Sequence, residues 1–329
     1  MKRTRKELAR DANPATSWDD LLGGGAEIAD EARAAVVISV SSGRCRLFRD
    51  GAEIDCLVPP HIAVRQKSAL AVGDRVLLEE EEGLCRIERV LPRRSVLARP
   101  DPLRPHMQRL IAANIDVVVH VVSVKAPPLR PRLIDRYMIA ILRGRAQPAV
   151  CVNKVDLLDE AERAAAADLL APYRDLGVPV IFCSTRTGEG VDELRELVEG
   201  KMCALVGHSG VGKSSILNAL DERLELAVGD LHTKRGTGRH TTTASTLHDL
   251  GGGTLLIDTP GIREFGLSNL GRDSLRDYFP ELEEPAEYCR FNDCTHVHEP
   301  GCEVKERVEA GSLSRARYET YLRLYEDLA

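Results

Sequence analysis

The segment Gly207-His208-Ser209-Gly210-Val211-Gly212-Lys213-Ser214 constrains this chain more than any other stretch of its 329 residues. Its spacing, G-x-x-x-x-G-K-S, is that of a loop that wraps phosphate oxygens. It follows an apolar run, MCALV, and opens into SSILNAL, which reads as a helix starting near Ser214 and Ser215. That strand–loop–helix context is what the motif requires: glycines let backbone N–H groups turn inward, and these groups cradle an anion. Such a loop ordinarily follows the first strand of its domain. Here about two hundred residues precede it, and they include Asn153-Lys154-Val155-Asp156, a base-reading sequence that ordinarily comes after the loop.

The surrounding pattern supports both motifs. DVVVHVVSV (116–124), PAVCVN (148–153), PVIFCS (179–184), KMCALVG (201–207) and TLLID (254–258) have the length and composition of buried strands. RLIDRYMIAILRGR (132–145), EAERAAAADLLAPYRDLG (160–177) and VDELRELVEG (191–200) read as the helices between them. Strands alternating with helices predict a mostly parallel sheet covered on both faces, with ligands at the carboxyl ends of the strands.

Each candidate residue has a chemical reason. Lys213 reaches the β- and γ-phosphates of a nucleotide, and the Ser214 hydroxyl can ligate Mg2+. Asp258, at the end of TLLID in Asp258-Thr259-Pro260-Gly261, can hold the same ion through water, while the Gly261 N–H can meet a γ-phosphate. The Asp156 carboxylate can accept from guanine N1–H and the 2-amino group, which adenine cannot supply. Asn153 can serve the O6 and N7 side, and the Lys154 stem can lie along the ring. Backbone N–H groups around Ser184, in CSTRTGEG, can meet guanine O6. GRHTTT (238–243) lies where a GTPase keeps its first switch, so Thr241 or Thr242 is the expected Mg2+ ligand. The set is complete for a GTPase, but base reading (153–156, 184) comes before the phosphate loop (207–215) and DTPG (258–261). This order predicts a circularly permuted domain, which closely spaced termini permit.

Two other regions have their own grammar. Between 35 and 98, AVVISV, RCRLFRD, AEIDCLV, DRVLLEE and LCRIERV are strand-length runs broken by Gly, Pro and Asp. They predict a small β-barrel, an OB-fold or another of similar size. Phe48 is the only aromatic there, so base stacking is not its means of gripping RNA. ARPDPLRPH (98–106) reads as a linker. After residue 265 Cys289, Cys294, His296 and Cys302 crowd together. Three thiolates and one imidazole can close a tetrahedral Zn2+ shell, which would be structural because no position stays open. His298 competes for the fourth place. The other six cysteines sit in apolar contexts and read as reduced core residues. In the last helix, Tyr318, Tyr321, Leu322, Tyr325 and Leu328 share one face and read as core.

The net charge is −6, and all of it lies in 266–329, with 8 Lys/Arg against 14 Asp/Glu. Nucleic-acid binding therefore rests on local basic patches, KRTRK (2–6) and the arginine-rich stretch 92–109, not on bulk charge. No apolar run approaches the ~18–20 residues of a membrane span, and the basic start has no apolar stretch behind it. These features predict no membrane partner and a cytoplasmic location.

The permuted motif order, the preceding barrel, GRHTTT, DTPGIREFGL and the cysteine tail together resemble the RsgA family of ribosome small-subunit-dependent GTPases, from about residue 35 to the end. The resemblance implies a GTPase with Mg2+ and one structural zinc on Cys289, Cys294, His296 and Cys302. It also implies a role in late maturation of the small ribosomal subunit through its rRNA, and a link to ribosome-binding factor A. The expected division is a flexible leader (1–32), an OB-like barrel (33–98), a permuted α/β GTPase domain (99–265) and a zinc-binding α-rich tail (266–329), acting as a monomer. Ile262 stands where many small GTPases carry a water-orienting Gln, so turnover should be slow alone. His240, beside the switch threonines, is the candidate to orient water. Two other readings use the same chemistry: a GTP switch acting on a non-ribosomal partner, and an RNA-docking scaffold that holds GTP with negligible hydrolysis.

Overall fold

A computed structural model of the chain describes residues 18–22, 34–41, 43–60, 62, 70–81, 84–101, 104–224, 226, 245–259, 267 and 270–328. His240, Thr241, Thr242, Gly261 and Ile262 lie outside the described residues.

Five strands, β1 (Ala35–Ser41), β2 (Arg44–Arg49), β3 (Ala52–Leu57), β4 (Arg75–Glu81) and β5 (Leu84–Val90), close into a barrel in the order β1-β2-β3-β5-β4. This agrees with the OB-like expectation. In β2 the alternation of RCRLFR turns Cys45 and Leu47 inward and arginines out, and Val37, Cys56, Val76 and Ile87 complete the barrel core. Phe48, half-buried, packs against the cluster that includes Ile38, Leu247 and Ile257, where the barrel meets the large sheet.

The expected linker is a hairpin. β6 (Val96–Asp101) pairs antiparallel with β7 (Arg104–Ala113) in a two-stranded sheet. Prolines hid it from a reading by composition. Pro100 sits in a two-stranded ribbon, where a strand has a free edge and a missing N–H can be tolerated. The leader also contains structure. A short helix, α1 (Trp18–Leu22), buries Trp18, Leu21 and Leu22 against Ala71, Val96, Ala98 and Leu110. Arg93 ties these pieces together. Its guanidinium holds the buried Asp74 carboxylate with bonds of 2.6 and 2.9 Å and donates to Leu21 O at 3.1 Å.

The large sheet has six strands: β8 (Val117–Ser123), β9 (Gln147–Asn153), β10 (Val180–Cys183), β11 (Met202–Val206), β12 (Thr246–Gly251) and β13 (Thr254–Asp258), in the order β10-β9-β8-β11-β13-β12. All pairs are parallel except β12 with β13. Helices α2 (Pro131–Arg143), α3 (Glu160–Asp175) and α4 (Val191–Val198) follow β8, β9 and β10, and α5 (Lys213–Leu220) follows β11. Every residue of β8 is buried, as a strand covered on both faces must be.

The permutation has a physical address. α4 ends at Val198, and β11 begins four residues later, in the middle of the sheet. The turn between them uses Gly200 at φ +65, with Gly200 N–H donating to Thr254 Oγ1 and Lys201 N–H to Val198 O. Three residues therefore join the half that carries Asn153–Asp156 to the half that carries the loop 207–215.

The tail contains no strand among its described residues. Short 3-10 turns lead to α6 (Glu283–Ala286), α7 (Glu303–Glu309) and α8 (Arg315–Asp327). Tyr321 and Leu324 of α8 are buried with Phe279, Leu282, Cys294, Cys302 and Val304, and Tyr318, Leu322, Tyr325 and Leu328 pack around them. The expected apolar face of the last helix is thus a core face. No helix among the described residues is long and apolar enough to cross a membrane.

Candidate functional site

The phosphate loop crosses from β11 to α5 at the carboxyl end of the sheet. Gly207 has φ +144, and a Cβ there would lie 2.3 Å from Val121 O on β8. Gly212 has φ +99, and a Cβ there would lie 2.2 Å from Asn153 Nδ2. Both positions need glycine for space as well as for backbone geometry. The Lys213 ammonium folds over the loop and donates to Gly207 O at 2.7 Å and His208 O at 3.1 Å. Ser214 and Ser215 stand in the first turn of α5, half-buried.

The base-reading sequence is stitched to this loop. Asn153, 1% exposed at the end of β9, donates from Nδ2 to Val211 O at 2.9 Å. Its Oδ1 has no partner among the described residues. Lys154 adopts φ +67 and donates to Ala126 O at 2.6 Å and to Gly210 O. It therefore bridges the β8–α2 loop and the phosphate loop. Asp156 follows in a 3-10 turn begun by Val155. Its Oδ1 accepts from Ser184 Oγ at 2.6 Å and its Oδ2 from Arg186 Nε at 2.7 Å. These bonds, the Ser184 hydroxyl above all, hold its carboxyl below the usual carboxylate range. Ser184, fully buried, also accepts from Thr187 N–H, so one side chain braces both the acid and its own loop.

Asp258 closes the site from β13, which is separated from β9 by β8 and β11. Burial raises its pKa, while Lys213 and His248 pull it down. Burial in turn lowers the Lys213 pKa, against the pull of Asp258. A desolvated acid facing a desolvated amine is an arrangement that a phosphate–Mg2+ pair would satisfy from both sides. Asp258 and the Ser214 hydroxyl could hold the ion, and Lys213 the phosphate. The sheet thus gathers Asn153, Lys154, Asp156, Ser184, the loop 207–215 and Asp258 to one end.

Sequence reading passed over two residues here. Arg186, one of the polar residues in CSTRTGEG, is the second partner of Asp156. His120, the single imidazole in DVVVHVVSV, is 2% exposed and stacks on Tyr137 of α2, with ring centroids 3.8 Å apart and planes 4° apart. Neither of its ring nitrogens has a partner among the described residues. Burial, assisted by His208 and Lys213, lowers its pKa to about 3. It lines a cavity of about 180 Å3 with Ser123, Pro127, Arg130, Leu133 and His208. An imidazole interrupting an otherwise apolar strand was the available signal.

The second site is in the tail. One ligand atom each from Cys289, Cys294, His296 and Cys302 lies within 4.8 Å of the other three. His296 Nδ1 is 3.6 Å from Cys289 Sγ and 3.5 Å from Cys302 Sγ, so the imidazole faces the thiols. His298, with its side chain 81% exposed, points away. The donor set and spacing fit a tetrahedral metal ion of the zinc class. The loop carrying His296 is held from outside. The Glu299 carboxylate accepts from the N–H groups of Thr295, Val297 and His298 and from Thr295 Oγ1. Tyr318 and Tyr321 donate to His296 O and Thr295 O. Such outer partners fix the orientation of metal ligands.

The tail is anchored to the sheet domain through α2. Arg317 of α8, only 4% exposed, donates from one nitrogen to Asp135 of α2 at 2.6 Å and from two others to Glu281 at 2.7 and 3.0 Å. Tyr173 of α3 donates to the same Asp135 oxygen at 2.7 Å.

Comparison with known proteins agrees with this geometry. A family profile described as RsgA GTPase matches residues 90–268. The chain is 40% identical over 292 residues to a Chlorobaculum parvum protein named small ribosomal subunit biogenesis GTPase RsgA, a match covering 85% of this chain and 92% of that one. It is 43% identical over 257 residues to a Pseudomonas aeruginosa protein of the same name, covering 77% and 74%. The crystal structure of YjeQ from Thermotoga maritima superposes with a TM-score of 0.74 at 32% identity, covering 90% of this chain and 98% of that one. YloQ, described as a circularly permuted GTPase, superposes with a TM-score of 0.68 at 25% identity, covering 92% and 98%.

Proposed function

This chain belongs to the RsgA GTPase family, and we propose that it hydrolyses GTP with Mg2+ to time its own docking to, and release from, the maturing small ribosomal subunit. One observation carries the nucleotide reading. Asn153 and Lys154 bond directly to phosphate-loop carbonyls, so residues that read the base and residues that hold phosphates form one unit despite their reversed order. The small-subunit role is supported by the names of relatives at about 40% identity.

Each residue has a task in this reading. Backbone N–H groups of 207–215 and Lys213 hold the phosphates and stabilise charge as the γ-phosphoryl leaves. Ser214, Asp258 and one of Thr241 and Thr242 would hold Mg2+, which would supply positive charge against the phosphates. Gly261 meets the γ-phosphate through its N–H. Asp156 accepts from the guanine edge, braced by Ser184, with Asn153, Lys154 and Val155 shaping that side. His240 orients the attacking water in place of Ile262, which has no hydrogen-bonding group. Cys289, Cys294, His296 and Cys302 would hold a structural zinc, which would stabilise the tail. The division into leader, barrel, GTPase and tail, the monomeric state, the cytoplasmic location and the link to ribosome-binding factor A belong to the same proposal and rest on the family resemblance.

The test is multiple-turnover phosphate release from GTP, alone and with isolated small subunits. Subunits should stimulate the wild type strongly. Lys213→Ala should lose about 10²–10³-fold with or without them. His240→Ala should keep GTP binding and lose the stimulated rate. Intact GTP binding with no stimulation by subunits would point instead to a non-ribosomal partner.

A further inference from the structure

Asp156 shows a carboxylate already engaged on the edge that should read the base. Its side chain is 9% exposed. Ser184, from inside the protein, takes Oδ1, and Arg186, from outside, takes Oδ2. Arg186 itself is 72% exposed, and Asp156 is its one ion-pair partner among the described residues. It sits two residues after Ser184, on the loop expected to meet guanine O6.

The chemistry of the two possible occupants is alike. Guanine presents N1–H and its 2-amino group on a flat N–C–N unit. The arginine side chain presents the same planar unit, with N–H donors that match a carboxylate. Adenine has no such pair. We propose that Arg186 is a displaceable stand-in for guanine: it occupies the Asp156 carboxylate until the base replaces it, and so sets how fast, and for which bases, the site opens. The proposal rests on the reading of Asp156 as the guanine-reading acid.

Two consequences follow from the geometry. Exposure makes the plug weak, because an ion pair with one solvated partner is screened by salt and contributes little. A weak plug yields to a ligand that matches the carboxylate and delays one that does not. Since Arg186 must leave before the base docks, it acts on association. Once the base is in place, Arg186 no longer holds the acid, so dissociation does not depend on it.

Stopped-flow binding of GDP carrying a ribose-linked fluorophore, with the full-length chain, separates the two rates. Arg186→Met keeps the stem and removes the donors. Its association rate should rise about two- to fivefold over wild type at low salt, equivalent to about 0.4–1 kcal/mol. Its dissociation rate should stay the same. At about 0.5 M salt, where the Debye length is below 8 Å, the ratio should shrink toward one. Arg186→Lys should fall between. An unchanged or slower association rate in Arg186→Met overturns the proposal. So does faster dissociation, which would make Arg186 a clamp on the bound base. The premise has its own arm. Asp156→Asn offers an N–H where the acid offered an acceptor, so it should prefer xanthosine diphosphate, whose 2-oxo group accepts. If that preference appears and Arg186→Met still shows no gain, the plug alone has failed. If it does not appear, the reading of Asp156 has failed, and the plug with it.

Discussion

The candidate metal cluster draws all four of its residues from 14 consecutive positions, Cys289 to Cys302, whereas the proposed nucleotide site collects side chains from Asn153 to Asp258. In the tail, the four candidate ligands lie on one short stretch of chain, which is also held by Glu299, by two tyrosines and by the burial of Cys294 and Cys302 in the tail core. In the sheet, ligand residues ride on strands whose order is set by a buried core. That core contains Val117, Val119, Cys203, Leu205 and Leu256, which do no chemistry. A site built locally depends on its ligand for shape. A site built on a sheet has its shape before the ligand arrives, and tolerates a change in chain order because only spatial order matters.

The comparison can be broken at its strongest point by stripping metal from the loaded protein. Structural zinc sites carry apparent binding energies of about 10–16 kcal/mol, much of it spent on folding. Chelation should therefore remove hydrogen-exchange protection from residues 283–309 while β8 and β11 keep theirs. Equal loss in both regions would show that the two sites fold as one. A smaller effect tests the link between them. Arg317→Met leaves Asp135 and Glu281 without their buried cation and should cost about 3–5 kcal/mol in urea unfolding. Adding Asp135→Leu should recover part of that loss, since the orphaned charge goes with it. If the single variant costs under about 1 kcal/mol, α8 is not anchored to α2 by this pair.

The smallest effect lies on the nucleotide side. His120 has a folded pKa of about 3, against an ordinary 6.5. As pH falls below 6.5 the unfolded chain takes up a proton that the folded chain refuses, so stability declines with acidification. Between pH 6.5 and pH 5 this contributes about 2 kcal/mol. His120→Phe should flatten that part of the stability–pH curve, while keeping the stack on Tyr137. An unchanged slope would mean that His120 accepts protons in the folded state.

How far the sequence could be read depended on locality. The phosphate loop, the base-reading quartet and the cysteine cluster are short and chemically distinctive, and the six sheet strands came out well except β12, whose TLHDLG mixes polar residues on an edge. The hairpin at 96–113 was missed because its prolines and arginines resemble a linker by composition, although only two residues separate its strands. The helix at Trp18–Leu22 was missed because five residues carry no period, and only the pocket formed by Ala71, Val96 and Leu110 gives them a reason to order. Arg186 and Arg317 were invisible for the same cause: an arginine has no signature until its carboxylate is located.

Motif spacing and order are one-dimensional facts, so the GTPase chemistry and its permuted order were legible from the residues alone. Which side chains meet around those motifs was settled by packing. The three-residue turn at Glu199–Lys201 that makes the permutation possible, the Lys154 bridge to Gly210 and the Arg186 hold on Asp156 all join residues whose proximity is set by packing, and proximity is what turns a charge into a partner.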